Sequence, residues 1–248
     1  MEKEIVHIHQ VVTRLPELRF AEPVEWRICE GEQWAVVGPN GAGKTLLADI
    51  LQRKFAFREG EVCYNKEGKV SDIIRSIAFK DIYSLADCRN SYYQQRWHAT
   101  ESDDVPTVAE TLSAYEGTEN LKEVLHIFGI EDLLPKKLIY LSSGELRKFL
   151  IVRTLLSRPE ILILDNPFIG LDAPSRDLLV DMLGQLSHLH GVQVILLLSN
   201  PADIPDMITH VLPIAGKKCY PPMSREVFLA DTALIQVLFP EENWIQTA

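Results

Sequence analysis

Along the first residues, Val6 and Ile8 fall on one side while Ile5, His7 and His9 fall on the other, and a period of two predicts a strand. Residues 24–28 predict a second strand, and Glu30, Gly31 and Glu32 a turn after it. Residues 33–37 form a third that runs directly into the glycine-rich stretch 38–43. Leu46, Leu47, Ile50 and Leu51 then recur at helical spacing, so the order is strand, loop, helix. Short strands are predicted at 60–64 and 76–79, whereas 84–106 is polar and aromatic without a period and reads as irregular. Amphipathic helices are predicted over 107–115, 119–128 and 142–157. Residues 160–164 and 192–198 are continuous apolar runs, separated by a helix whose stripe is Leu178, Leu179, Met182, Leu183 and Leu186. Two such runs joined through a helix predict an α/β chain with a parallel sheet covered on both faces. A strand near 208–213 and a helix over 224–238 complete the chain. The middle, about 82–157, is helical where its flanks are α/β, which predicts a helical subdomain inserted into one core.

Composition narrows the field of functions. Hydrophobic residues make up 46% and charged residues 24%, which excludes a disordered or fibrous chain. A formal net charge of −10 opposes broad attraction to nucleic acid or anionic lipid. The four cysteines (Cys29, Cys63, Cys88, Cys219) are scattered without a C-x-x-C pair, the usage of a reducing compartment. The first residues do not form a signal peptide, and no apolar run approaches the roughly 20 residues that span a bilayer. A cytoplasmic protein is the expectation.

Chemistry enters at Gly38-Pro39-Asn40-Gly41-Ala42-Gly43-Lys44-Thr45, which fits G-x-x-x-x-G-K-[ST] between a hydrophobic strand and a helix. Glycines there let the backbone wrap an anion closely, and the following helix adds its positive end. Lys44 is placed to contact the β- and γ-phosphates, and the Thr45 hydroxyl to ligate magnesium. Residues 161–164 are an apolar strand ending in Asp165, which in a parallel sheet lies beside that loop and can hold the magnesium through water.

Between these elements, Leu141-Ser142-Ser143-Gly144-Glu145 resembles the LSGGQ signature of ATP-binding cassette (ABC) ATPases, at the spacing from Asp165 that the family requires. Residues 166–172 (NPFIGLD) look like the family's Walker B extension and D-loop. The resemblance runs from about residue 4 to residue 213. It implies a P-loop NTPase core of ABC type with an inserted helical subdomain and an N-terminal β subdomain, residues 1–248 forming one nucleotide-binding domain. It further implies ATP and Mg2+ held by Gly38 through Thr45 and by Asp165, with Thr45 and Asp165 at the metal. The nucleotide-binding set is completed by Ser142, Gly144 and Asp172; Ser142 and Gly144 serve the nucleotide of a second cassette that closes face to face. That partner is another copy or a further segment of a longer chain, and a membrane transport subunit, at the inner face of the membrane, belongs to the same expectation. Within the superfamily, residues 140–148, 166–172 and Leu198-Ser199-Asn200 look most like the first cassette of ModF-type (PhrA-like) tandem proteins, associated with molybdate transport or photorepair. A DNA-associated reading follows only from the photorepair likeness and runs against the charge.

Departures from the family pattern fall at the hydrolytic positions. Asn166 stands where most members carry a glutamate, and Asn200 stands for the switch histidine; an amide binds water but cannot take its proton at neutral pH. Asn166 and Asn200 are therefore the candidate catalytic positions of a site that either hydrolyses slowly or positions water through amides alone. The Q-loop glutamine is expected after residues 77–79, where Lys80-Asp81 stands, with Gln94 and Gln95 later. No adenine-stacking aromatic occurs at 13–14, leaving Arg14 or Phe20. Ser143 replaces a signature glycine. The remaining features get structural readings: His7 and His9 share a strand face with no carboxylate set joining them, His188 and His190 complement a helix end, and Lys136-Lys137 and Lys217-Lys218 are solvated pairs. Trp97 and Tyr92-Tyr93 pack the helical subdomain or form a partner contact.

Overall fold

The structure, a computed structural model, describes residues 3–79 and 105–240. Lys80, Asp81, Cys88, Tyr92, Tyr93, Gln94, Gln95 and Trp97 lie outside the described residues, as do the side chains of His188 and His190.

Two sheets carry the fold. β1 (Glu4–Thr13), β2 (Val24–Cys29) and β4 (Phe57–Tyr64) form an antiparallel sheet in the order β2-β1-β4. The main sheet runs β10-β8-β3-β7-β6-β5, built from β3 (Trp34–Val37), β5 (Ile74–Ala78), β6 (Ile161–Asp165), β7 (Gln193–Leu198), β8 (His210–Ala215) and β10 (Met223–Ser224). The short β9 (Lys218–Cys219) pairs with β8. β5, β6, β7, β3 and β8 are all parallel, as the two continuous apolar runs predict.

Each face of the main sheet buries its own core. On one side Val36, Ile163, Ile195 and Leu197 meet Leu47 and Leu51 of α1 (Lys44–Leu51) and the inner face of the antiparallel sheet. On the other, Ala35, Leu162, Leu164 and Leu196 join the helices that lie between β5 and β6 and after β6. Among the described residues, those between β5 and β6 are α3 (Val108–Leu112), α4 (Glu119–Phe128) and α5 (Ser143–Leu155), α2 (Val70–Ile73) being the single turn before β5. α6 (Ala173–His190) links β6 to β7. Among the described residues no helix is long and apolar enough to cross a membrane.

Local chemistry explains where the elements differ from the pattern. The helix expected over 107–115 is α3 plus a 3-10 turn over Ser113–Tyr115, with Thr107 and Glu110 closing a capping box at its start. The helix expected over 224–238 is two, α7 (Arg225–Ala230) and α8 (Thr232–Leu238), because the Asp231 carboxylate accepts from the Leu234 N–H at 2.9 Å and starts a new N-terminus. Leu178 drops out of the α6 stripe: it is 44% exposed while Leu179, Met182, Leu183 and Leu186 are buried.

β1 bends at a bulge. Between Ile8 and Val11 it advances three residues while β2 advances two, from Trp26 to Val24, and β4 slips at the same place. Gln10 takes up the extra residue with φ 46°, and Gly60 on β4 (φ 76°) lies so close that a Cβ there would overlap the Gln10 carbonyl. Gly60→Ala is expected to lower folding stability by about 1–3 kcal/mol, read as a shift in the denaturation midpoint.

Candidate nucleotide site

β3, β7 and β6 are neighbours, so everything that follows their C-terminal ends converges on one edge. The Gly38 N–H donates to Leu198 O at 3.2 Å and the Asn166 N–H to Leu197 O at 3.0 Å, tying the loop after β3 and the residue after β6 to the end of β7. Gly38 itself admits no side chain: a Cβ there would collide with Ile214 O on β8. Gly41 and Gly43 turn the loop at φ 78° and 110°, which L side chains rarely adopt.

The loop residues close on a cavity of about 300 Å³, lined by Asn40, Gly41, Gly43, Lys44, Thr45, Asp165 and Asn166 together with Leu18, Leu46 and Lys217. Lys44 is buried, and its ammonium donates to Gly38 O at 2.7 Å and Pro39 O at 3.0 Å, spanning the turn it will share with an anion. Across the cavity the Thr45 hydroxyl donates to Asp165 Oδ2 at 2.7 Å. A hydroxyl and a carboxylate converging beside a buried ammonium and a glycine cradle make an all-oxygen donor set suited to Mg2+ on a phosphate. The residues present therefore fit Mg-ATP.

Asn166 and Asn200 are both engaged with protein. Asn166 has φ 51°, its amide donates to Asp165 Oδ1 at 2.8 Å, and its carbonyl oxygen accepts from the Ser199 hydroxyl at 3.1 Å. The same hydroxyl reaches Asn40 Oδ1 at 2.9 Å, so Ser199 bridges the phosphate loop and the residue after β6. Asn200 caps the 3-10 turn over Pro201–Asp203, its Oδ1 accepting from the Ala202 N–H at 2.8 Å. Both asparagines border a second, larger cavity of about 590 Å³ that also touches Asn40, Gly41 and Ile169.

Ser142, Gly144 and Asp172 lie away from the loop cavity, around a separate hollow or at the head of α6. Ser142 and Gly144 line a hollow of about 190 Å³ with Arg147, Lys148, Ser175 and Leu178. Ser142 caps α5 in a capping box: its Oγ accepts from the Glu145 N–H at 3.3 Å, and its own N–H donates to Glu145 Oε2 at 2.8 Å. Burial pushes the Glu145 carboxyl up, but Lys136 and the Ser142 donors outweigh it and leave it below the ordinary carboxylate range. The Ser142 oxygen is the acceptor of the cap, and its hydroxyl lies beside the Glu145 carboxylate that it helps to hold low. Asp172 caps α6, accepting from the Ser175 N–H at 3.2 Å, and Ser175 holds its carboxyl below the ordinary range.

Two residues at the site carried no signal of their own in the sequence, Lys217 and Arg147, and a third, Phe20, stood only as one of two candidates. Lys217, read as half of a solvated pair, lines the loop cavity; its N–H donates to Ala42 O at 2.9 Å and its ammonium to Glu17 O. Lys218 does stay at the surface, 3.1 Å from Glu22. Phe20 packs its ring against Gly43, whereas Arg14 is exposed, so of the two candidates only Phe20 touches the loop. Arg147 is buried under the D-loop, donating to Pro167 O at 2.5 Å and to Ile169 O. Such contacts bring residues far apart in the chain together, and no local pattern announces them.

Comparison with known proteins agrees with this geometry. Residues 21–169 match the ABC transporter family. An uncharacterized ABC transporter ATP-binding protein of Schizosaccharomyces pombe is 31% identical over 79% of this chain and 42% of its own length. The ABC transporter ATP-binding protein ModF of Escherichia coli is 29% identical over 96% of this chain and 48% of its own. The chain thus spans about half the length of these curated relatives. Among solved structures, CbiO1 of Clostridium perfringens, part of an ABC transporter complex, superposes with a TM-score of 0.77 at 17% identity, covering 96% of this chain and 97% of that one. The ADP conformation of MJ1267, an ATP-binding cassette of an ABC transporter, gives 0.73 at 16%, covering 96% and 99%. With residues 21–169, more than half of its length, inside the family match, this chain belongs to the ABC transporter family.

Proposed function

We propose that this cassette binds Mg-ATP at the loop cavity, closes on a second cassette, and turns ATP over slowly at its own site. The observation that carries the reading is the engagement of both hydrolytic positions, Asn166 with Asp165 and Ser199, and Asn200 with Ala202. Binding is left whole: Lys44 and the N–H groups of 38–43 grip the phosphates, while Thr45 and Asp165 hold the magnesium, whose charge offsets that of the phosphates. Neither asparagine can accept a proton from water, so general-base assistance is missing. Ser142 and Gly144, on the exposed N-terminal turn of α5, face the nucleotide of the partner, with donors suited to a γ-phosphate.

That the first two relatives are about twice as long as this chain favours a partner cassette supplied by a longer protein of tandem type. The CbiO1 and ModF likenesses favour a transport-associated task, carried out in the cytoplasm or against a membrane subunit. A regulatory module with negligible turnover is the neighbouring reading, supported by the same two asparagines, and a rate measurement separates them.

Lys44→Ala should weaken ATP binding about 10- to 150-fold by removing a charge-assisted contact of about 1.5–3 kcal/mol; calorimetry on the folded variant checks it, and unchanged affinity overturns the site. Ser142→Arg should leave ATP affinity intact and abolish ATP-dependent association with a competent partner, measured by light scattering. In single-turnover assays with that partner, Asn166→Glu combined with Asn200→His should raise hydrolysis, against a general-base contribution of about 10²–10⁴-fold where one operates. Ordinary enzyme rates from the wild-type site would sink the slow-turnover reading.

A further inference from the structure

The outer face of the antiparallel sheet holds a cluster that plays no part in nucleotide chemistry. His7 and His9 stand two residues apart on β1 and share that face, as their alternation with Val6 and Ile8 requires. The sequence offered no carboxylate to join them, but the pairing of β1 with β2 does: beyond the pairs His7 with Arg27 and Ile8 with Trp26, His9 comes to face Glu25, and the bulge brings Gln10 to the same residue. His7 Nε2 lies 2.6 Å from Glu25 Oε1, and His9 Nδ1 lies 3.3 Å from Glu25 Oε2. One ligand atom from each of the three residues lies within 4.8 Å of the others.

We infer that His7, His9 and Glu25 form a binding site for a divalent transition-metal ion of the Zn2+ type. Two imidazoles and a carboxylate are the donor set such an ion takes, with a fourth position left to water. Ligands about 2.1 Å from a tetrahedral ion stand about 3.4 Å apart, so the cluster accepts one through small side-chain rotations. The carboxylate is held in place by the Gln10 N–H and the Gln10 side-chain amide, each donating to Oε2 at 3.0 Å. Behind the His7 ring, Glu4 Oε1 lies 3.9 Å from Nδ1, a second negative charge near the cluster.

Arg27 opposes the ion. Its Nε lies 3.3 Å from His7 Nε2 and 4.0 Å from Glu4, so the guanidinium places a positive charge beside the nitrogen the metal needs. Its side chain is 64% exposed and can swing into water. The register of β1 with β2 sets His9 opposite Glu25, and the bulge that follows brings Gln10 onto the same carboxylate.

The test is calorimetric titration of the untagged chain with zinc chloride alone, without nucleotide. One equivalent is expected to bind, and His9→Gln and Glu25→Gln should each weaken it at least tenfold, as loss of a ligand does. His9 is 57% exposed, so its replacement leaves the fold intact, and retained Mg-ATP affinity verifies this. Arg27→Gln should tighten zinc binding about fivefold by removing a neighbouring positive charge, an effect that a purely structural cluster would not give. Cobalt(II) should show tetrahedral absorption in the wild type and lose it in Glu25→Gln. No zinc uptake by the wild type, or affinities for both ligand variants within twofold of it, overturns the assignment.

Discussion

The nucleotide end of the molecule depends on β7 lying between β3 and β6 in a parallel sheet. In that order the loop after β3, the carboxylate after β6 and the polar pair after β7 must leave the sheet side by side. The bonds from Gly38 and Asn166 to the last carbonyls of β7 fix their separation to within a hydrogen-bond length. β7 itself is wholly buried, so the register that sets this alignment is held by apolar packing on both faces. Displacing it would cost the site its geometry without touching any residue that meets the nucleotide.

A second link runs outward from the core to the exposed turn at Ser142. Arg147, one turn into α5, carries its guanidinium beneath the D-loop and bonds the carbonyls of Pro167 and Ile169, with the Phe79 ring 5.3 Å from its charge. A buried cation bound to two carbonyls is costly to disturb, so the N-terminus of α5 and the D-loop move as one piece. Arg176 does the same on the far side, joining α6 to Ala202 at 3.1 Å and Asp203 at 2.6 Å. The surface proposed to meet a partner is thereby coupled mechanically to the residues beside Asp165.

What was legible in the sequence was whatever is contiguous. The phosphate loop, the apolar strand ending at Asp165 and the run 141–145 that opens α5 each occupy a single short stretch, and each lies where its pattern places it. The split of the C-terminal helix was hidden because Asp231 is an ordinary helix-surface residue until its carboxylate turns to cap Leu234. Lys217 and Arg147 were hidden because their partners lie elsewhere in the chain. The joining of His7 and His9 with Glu25 was hidden for a different reason: it depends on which residues of β2 lie opposite β1, and alternation along one strand does not give the register.

Asn166 sits with its backbone in the left-handed region, where asparagine is several-fold enriched over larger residues. Its two side-chain bonds, to Asp165 and from Ser199, use both ends of an amide, and a carboxylate could supply only acceptors. A glutamate introduced there loses the donor to Asp165, sets like charges side by side, and keeps a backbone that suits it poorly. Asp165, Asn166 and Ser199 thus form one hydrogen-bonded unit, and a carboxylate at 166 would gain catalytic rate only in a locally looser site.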